Sequence, residues 1–203
     1  MTRLAPNDLT RPELTLPAAE AELLRAAYGR ADVILEYGSG GSTVMGAELP
    51  GKTIWSVESD RAWAEMMRGW FAANPPAAGS HVDVVWSDIG ATKEWGHPVD
   101  DSEWGRFARY PLEVWDLKEF RQPDVVLVDG RFRVGCALAA AYRTKAPLDL
   151  YFDDYAQRSQ LHVVETFIGP PQAIVGRMAQ FRVTPQPIPA DRLLKIIHLM
   201  QRP

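Results

Sequence analysis

Residues 34–43 read ILEYGSGGST, an apolar run that breaks into a Gly-x-Gly turn. A short buried strand that ends this way must turn sharply and hand over to a helix, because paired glycines let the backbone approach a ligand or a second chain segment. The rest of the chain repeats this alternation of extended and helical signals. Residues 17–28 are rich in Ala, Glu and Leu and stop at Gly29, which predicts a leading helix. Strands are expected at 33–37, 53–57, 81–86, 124–128 and 148–152, and helices at 42–49, 132–145 and 157–167. A further helix, capped by Asp60 and ended by Asn-Pro-Pro, sets Trp63, Met66, Met67, Trp70 and Phe71 along one face, a spacing that reads as core packing. Extended segments at 180–184 and 193–199 are joined by PQPIPADR, too short for a crossover helix, so they should pair antiparallel.

Strands alternating with crossover helices define the α/β class. The expected fold is Rossmann-like and doubly wound. It has a seven-stranded, mostly parallel sheet, an antiparallel C-terminal strand pair and helices on both faces. One domain is expected over 1–203, with the leading helix in 1–30 and an aromatic-rich insertion at 90–122. A chain of 203 residues suits one domain better than two.

Bulk properties narrow the function. The net charge of −4 argues against a nucleic-acid partner. No apolar run reaches the roughly eighteen residues of a membrane span, and the first residues lack a signal peptide's apolar centre, so a cytoplasmic protein is expected. Cys136, the single cysteine, lies in the apolar run VGCALAAAY and reads as a small core residue. The oligomeric state is left open.

Three glycine-loop chemistries compete. GAELPGKT, residues 46–53, matches the P-loop pattern literally, but a P-loop leaves a strand and enters a helix, and here the order is reversed. Lys52 then serves only to solvate a turn. A dinucleotide site fits better, since Gly38, Gly40 and Thr43 occupy the G-x-G-x-x-G/A frame and Glu58 lies twenty residues past Gly38. Glu36 weighs against it: a carboxylate two residues before the turn would repel a pyrophosphate but welcomes an ammonium or sulfonium cation.

On these residues, LEYGSGGST resembles the first motif of class I S-adenosylmethionine-dependent methyltransferases, and the likeness runs from about residue 30 to the end. The resemblance implies a cofactor site of Glu36, Gly38, Ser39 and Gly40. Glu58 would bind the ribose hydroxyls, and Asp88 and Ile89 the adenine. It implies methyl transfer to an oxygen or nitrogen of a small-molecule acceptor. An NAD(P)-dependent oxidoreductase and a methyltransferase-like binding protein without catalysis stand as alternatives.

The ends of the fourth and fifth strands carry Asp129 and the pair Asp153–Asp154, three carboxylates that would repel one another unless neutralised. Hard oxygen donors suit Mg²⁺ or Ca²⁺. The arrangement resembles the metal-dependent catechol-type and macrocin-type O-methyltransferases, which implies Asp129, Asp153 and Asp154 as metal ligands. Catechol-type enzymes carry a lysine three residues past the strand-four Asp; this chain has Phe132 there. Asp129 and His162 are the catalytic candidates, with His97 a further possible base. Arg131 and Arg133 suggest an anionic acceptor or a phosphate or carboxylate handle, with solvated positions at a helix start as the alternative. Trp95, Trp104 and Trp115 in the insertion read as a wall or lid over the acceptor, with extra core cover as the alternative.

Overall fold

A computed structural model describes residues 10–203; the first nine residues of the expected domain lie outside the described residues. Helix α1 (Ala18–Arg30) leads into strand β1 (Val33–Tyr37), helix α2 (Gly41–Ala47), strand β2 (Thr53–Glu58), helix α3 (Arg61–Ala73) and strand β3 (His81–Trp86). The insertion contributes a two-stranded antiparallel hairpin, β4 (Thr92–Lys93) and β5 (His97–Pro98), and helix α4 (Arg109–Leu112). Strand β6 (Val125–Val128), helix α5 (Arg133–Arg143), strand β7 (Leu148–Phe152) and helix α6 (Glu165–Ile168) follow. Strands β8 (Ala173–Val175) and β9 (Met178–Val183) and helix α7 (Leu193–Met200) close the chain.

Seven strands form one sheet in the order β3-β2-β1-β6-β7-β9-β8, parallel except for β9. Strands β1 and β6 are buried along their whole length, which is why they read as near-continuous Val, Ile and Leu. Side chains alternate between two cores. Leu35 and Tyr37 face α5 and the insertion, whereas Ile34 packs with Leu24 and Tyr28 of α1. Strand order reverses between β1 and β6, so the residues just beyond Tyr37, Glu58, Val128 and Phe152 gather at one edge.

Residues 193–199 are helix, not the expected strand. Ile196, Leu199 and Met200 form a buried stripe of helical spacing against α5, where Gly135 admits the Met200 backbone. Strand β9 pairs antiparallel with β7 on one side and, on the other, with β8, to which it is joined through Gly176 at φ +56°. The expected helix over 157–167 is a 3₁₀ segment at Ser159–Val164 followed by α6. Lys52 does not solvate a turn: it is buried, and its Nζ donates to the Gly29 and Ala31 carbonyls, 3.0 and 2.6 Å away, at the C-terminal end of α1. Among the described residues no helix is long and apolar enough to cross a membrane.

Most of the insertion is core cover. Phe107, Tyr110, Val114 and Trp115 are buried, and the Trp115 indole donates to the Tyr37 hydroxyl at 2.7 Å. Trp104 is exposed at the surface. Of the three insertion tryptophans, Trp95 alone borders the main cavity.

Candidate active site

A cavity of about 980 Å³ opens at the carboxyl edge of the sheet, at the upper end of the range for small-molecule sites. Gly38 begins its floor. Its φ of +105° belongs to glycine, and a β-carbon there would lie 2.9 Å from the Gly130 nitrogen. Gly130 is equally constrained, because its own β-carbon would strike the Tyr110 hydroxyl. The turn after β1 and the turn after β6 are thus locked backbone against backbone. Ser39, Gly40, Gly41 and Ser42 continue the floor into α2.

Glu58 projects from the end of β2 into this cavity. Its Oε1 accepts from the Ser59 and Asp60 backbone amides at 2.7 and 2.8 Å, and its Oε2 lies 3.3 Å from the Ser39 amide. Burial pushes its carboxyl above the ordinary range, and the three amides pull it back. The glycine turn and the strand-two acid therefore form one hydrogen-bonded unit. Trp63 joins it, its indole donating to the Ser39 carbonyl at 2.7 Å. The helical spacing of Trp63, Met66 and Met67 reads as core, yet only Met67 of these is buried, while Trp63 and Met66 line the cavity.

Glu36 does not line the cavity. It is fully buried behind the glycine turn, where Tyr28 Oη donates to its Oε1 at 2.6 Å and Ser56 Oγ to its Oε2 at 3.2 Å. Burial raises its pKa against the hydrogen bonds that Thr43, Tyr28, Ser42 and Ser56 supply. Side-chain alternation explains the placement: Glu36 points to the α1 face of β1, away from Tyr37. Asp88 and Ile89 are also away from the main cavity. They border a neighbouring cavity of about 550 Å³, where Asp88 pairs with Arg106 at 3.2 Å and Ile89 is fully buried.

At the far end, Asp129, Asp153 and Asp154 do converge on the cavity, but arginines neutralise them. Arg177 grips Asp153 with Nε and Nη2 at 2.9 and 2.8 Å, a two-pronged pair on an almost wholly buried carboxylate. Arg133 lies 3.1 Å from Asp129 and 3.2 Å from Asp154, and Arg158 lies 2.6 Å from Asp154. Arg133 also donates to the carbonyls of Asp129, Gly130 and Asp153, stapling the β6 turn to the β7 turn. This donor set does not fit Mg²⁺ or Ca²⁺, because the oxygens a cation would need are committed to guanidinium. Among the described residues no group of three His, Cys, Asp or Glu side chains is disposed to hold a metal. The carboxylates of Asp129, Asp153 and Asp154, expected to be metal ligands, are instead engaged by Arg133, Arg158 and Arg177.

Asp129 has its pKa raised to about 7, by burial first and by Asp153 and Asp154, against the pull of Arg133. His162 is not in the site. Its ring stacks on Tyr155 with centroids 4.5 Å apart, and its Nε2 meets the Tyr155 carbonyl at 3.0 Å. His97 borders the cavity instead, its Nε2 against Nη1 of Arg131. Phe132 is fully buried against Phe107 and Tyr110, so the position three past Asp129 is structural.

Trp95, Phe132 and Asp154 are the described non-glycine residues with left-handed backbone, at φ +62°, +51° and +58°. Two of them line the cavity and the third follows Arg131, so backbone strain is concentrated where ligands would sit. The segment 13–16 forms one more wall that no sequence signal announces. The Glu13 backbone crosses Gly41 so closely that any β-carbon there would overlap it.

This sheet order, with a glycine turn after β1 and an acid at the end of β2, defines the class I S-adenosylmethionine-dependent methyltransferase fold, and the chain belongs to that family. The membership rests on its similarity to a methyltransferase-like protein from Silicibacter pomeroyi, with 62% identity, a TM-score of 0.92, and coverage of 95% of this chain and 99% of that one. More distant structures share the fold. A putative O-methyltransferase from Klebsiella pneumoniae has 14% identity, covers 89% of this chain and 86% of its own, and gives a TM-score of 0.55. The O-methyltransferase TomG from Streptomyces achromogenes, solved with S-adenosylmethionine, has 18% identity, coverage of 86% and 83%, and a TM-score of 0.56. No protein-family model and no curated protein sequence matches the chain.

Proposed function

We propose that this protein transfers a methyl group from S-adenosylmethionine to an oxygen or nitrogen of a small-molecule acceptor, in the cytoplasm. The observation that carries the reading is the single hydrogen-bonded unit of Gly38, Ser39, Gly40 and Glu58 on one wall of the cavity that Asp129 borders from the next strand end. Gly38, Ser39 and Gly40 would hold the cofactor's amino-acid end, and Glu58 its ribose hydroxyls. When bound, S-adenosylmethionine supplies an electrophilic methyl group.

The chain's own residues supply position and a proton acceptor. A partly closed cavity that holds the nucleophile in line accounts for most of the rate enhancement such a site needs. Asp129, with its carboxyl near pH 7, can take a proton from an acceptor hydroxyl or ammonium at the pH of the cell. Arg133 fixes that carboxylate from below.

Calorimetric titration with S-adenosylmethionine, S-adenosylhomocysteine and NAD tests the reading. Binding of the first two but not the third is expected, and Glu58→Ala should weaken them by about 1.5–3 kcal/mol, the worth of hydrogen bonds to a charged group. Tight NAD binding instead would make the protein a dinucleotide enzyme. Cofactor binding with no turnover on any acceptor would leave a methyltransferase-like binding protein.

A further inference from the structure

Four arginines border the main cavity, and three of them are spoken for. Arg133, Arg158 and Arg177 each pair with at least one of Asp129, Asp153 and Asp154. Arg131 is different. Among the described residues no carboxylate lies within 4.0 Å of its guanidinium, and its Nε is buried with no hydrogen-bond partner. Among the described residues, its guanidinium has one side-chain hydrogen-bond partner, the ring of His97.

That neighbour sharpens the argument. Burial, and then the charge of Arg131, holds the His97 imidazole below its ordinary pKa, so the ring is neutral near pH 7 and can accept from the guanidinium. A neutral acceptor satisfies one N–H but brings no counter-charge into contact with the guanidinium. Guanidinium does not shed its proton to escape that position. A half-buried, permanently charged fork that borders the cavity with no carboxylate in contact is a poor structural element and a good receptor for an anion.

Building on the methyltransferase reading, the geometry points to an acceptor substrate that carries a carboxylate or phosphate group, held by Arg131 with His97 orienting the guanidinium. Arg131 stands two residues past Asp129, so an anionic handle there leaves the acceptor's nucleophile within the same cavity as the proposed base. The same carboxylate chemistry exists on the cofactor's own amino-acid end, and the test separates the two sources.

The experiment titrates benzoate and inorganic phosphate, with benzamide as the neutral control and sodium chloride to match ionic strength, into protein saturated with S-adenosylhomocysteine. The parent is expected to bind at least one of the two anions and not benzamide. Arg131→Gln should weaken that anion by about tenfold or more and change S-adenosylhomocysteine affinity by less than about twofold. Arg131→Lys, which keeps the charge but not the planar fork, should fold even where the glutamine variant does not, and should bind the anion several-fold more weakly than the parent. Parity of either variant with the parent overturns the proposal. So does a tenfold loss of S-adenosylhomocysteine affinity in Arg131→Gln, which would assign the charge to the cofactor. A parent that binds S-adenosylhomocysteine but neither anion overturns the anion proposal alone. A parent that does not bind S-adenosylhomocysteine overturns the methyltransferase reading beneath it.

Discussion

Gly38 and Gly130 meet backbone to backbone: a β-carbon on Gly38 would sit 2.9 Å from the Gly130 nitrogen and 3.0 Å from its Cα. This contact joins the two strand ends that flank the reversal of strand order, so it sets the floor between the proposed cofactor and acceptor halves of the cavity. Gly38→Ala combines an unfavourable φ of +105° with a clash against rigid main chain. We expect it to cost about 1–3 kcal/mol in chemical denaturation, the range for a strained backbone position, and to abolish S-adenosylhomocysteine binding. A variant with parental stability and affinity would show that the two turns can part at no cost.

The carboxylate that signals the motif lies behind the cavity wall and does not line it. Glu36 holds Tyr28 and Ser56 behind the turn, fully buried. Tyr28→Phe removes the 2.6 Å hydrogen bond and leaves a buried carboxyl oxygen short of a donor, which should destabilise the fold by about 1–3 kcal/mol. Because the cavity wall is untouched, S-adenosylhomocysteine affinity of the folded variant should stay within about threefold of the parent. A selective loss of affinity with unchanged stability would return Glu36 to the binding site.

These two residues mark where the sequence was legible. Glycines that need positive φ and acids that end strands leave local signatures, so the parallel strands and the placement of Gly38, Glu58 and Asp129 can be read directly. Face is harder to read than position. Trp63 and Met66 share the apolar stripe of Met67, and spacing alone cannot tell a cavity wall from a core. Leu193 to Leu199 carries β-branched isoleucines that suggest a strand, yet its buried positions have helical spacing. The identity of the counter-charge was invisible, because Arg177 reaches Asp153 from the β8–β9 turn, 24 residues further along the chain.

That counter-charge yields a prediction about metal. With Asp153 gripped by Arg177 and Asp154 by Arg158 and Arg133, Mg²⁺ or Ca²⁺ should leave the melting temperature unchanged, and chelator should leave turnover unchanged. Arg177→Ala strands an almost wholly buried carboxylate, and the loss should approach the roughly 3–5 kcal/mol seen when one partner of a buried pair is removed. Melting curves with and without cation decide it. A saturable rise in melting temperature with Mg²⁺ in the parent would restore the metal site.

Asp129 gives the cavity its pH dependence. Its carboxyl titrates near 3.8 in the unfolded chain and at about 7 in the folded protein, chiefly because burial disfavours the charge. The folded state therefore holds the proton more tightly. The stability this confers is full below pH 3.8, declines across the interval, and is lost above about 7. Asp129→Asn should flatten that slope, leaving the parent and the variant closer in pH dependence above 7 than below it. Activity should run the other way. If Asp129 takes the acceptor's proton, kcat/KM rises with pH through about 7 as the carboxylate forms, and Asp129→Asn lowers kcat by about a hundredfold or more with cofactor affinity retained. Opposite pH trends of stability and activity, both removed by one substitution, are the expected signature of a base kept protonated by its own burial. A rate profile that is flat across this interval would assign the proton transfer to another group.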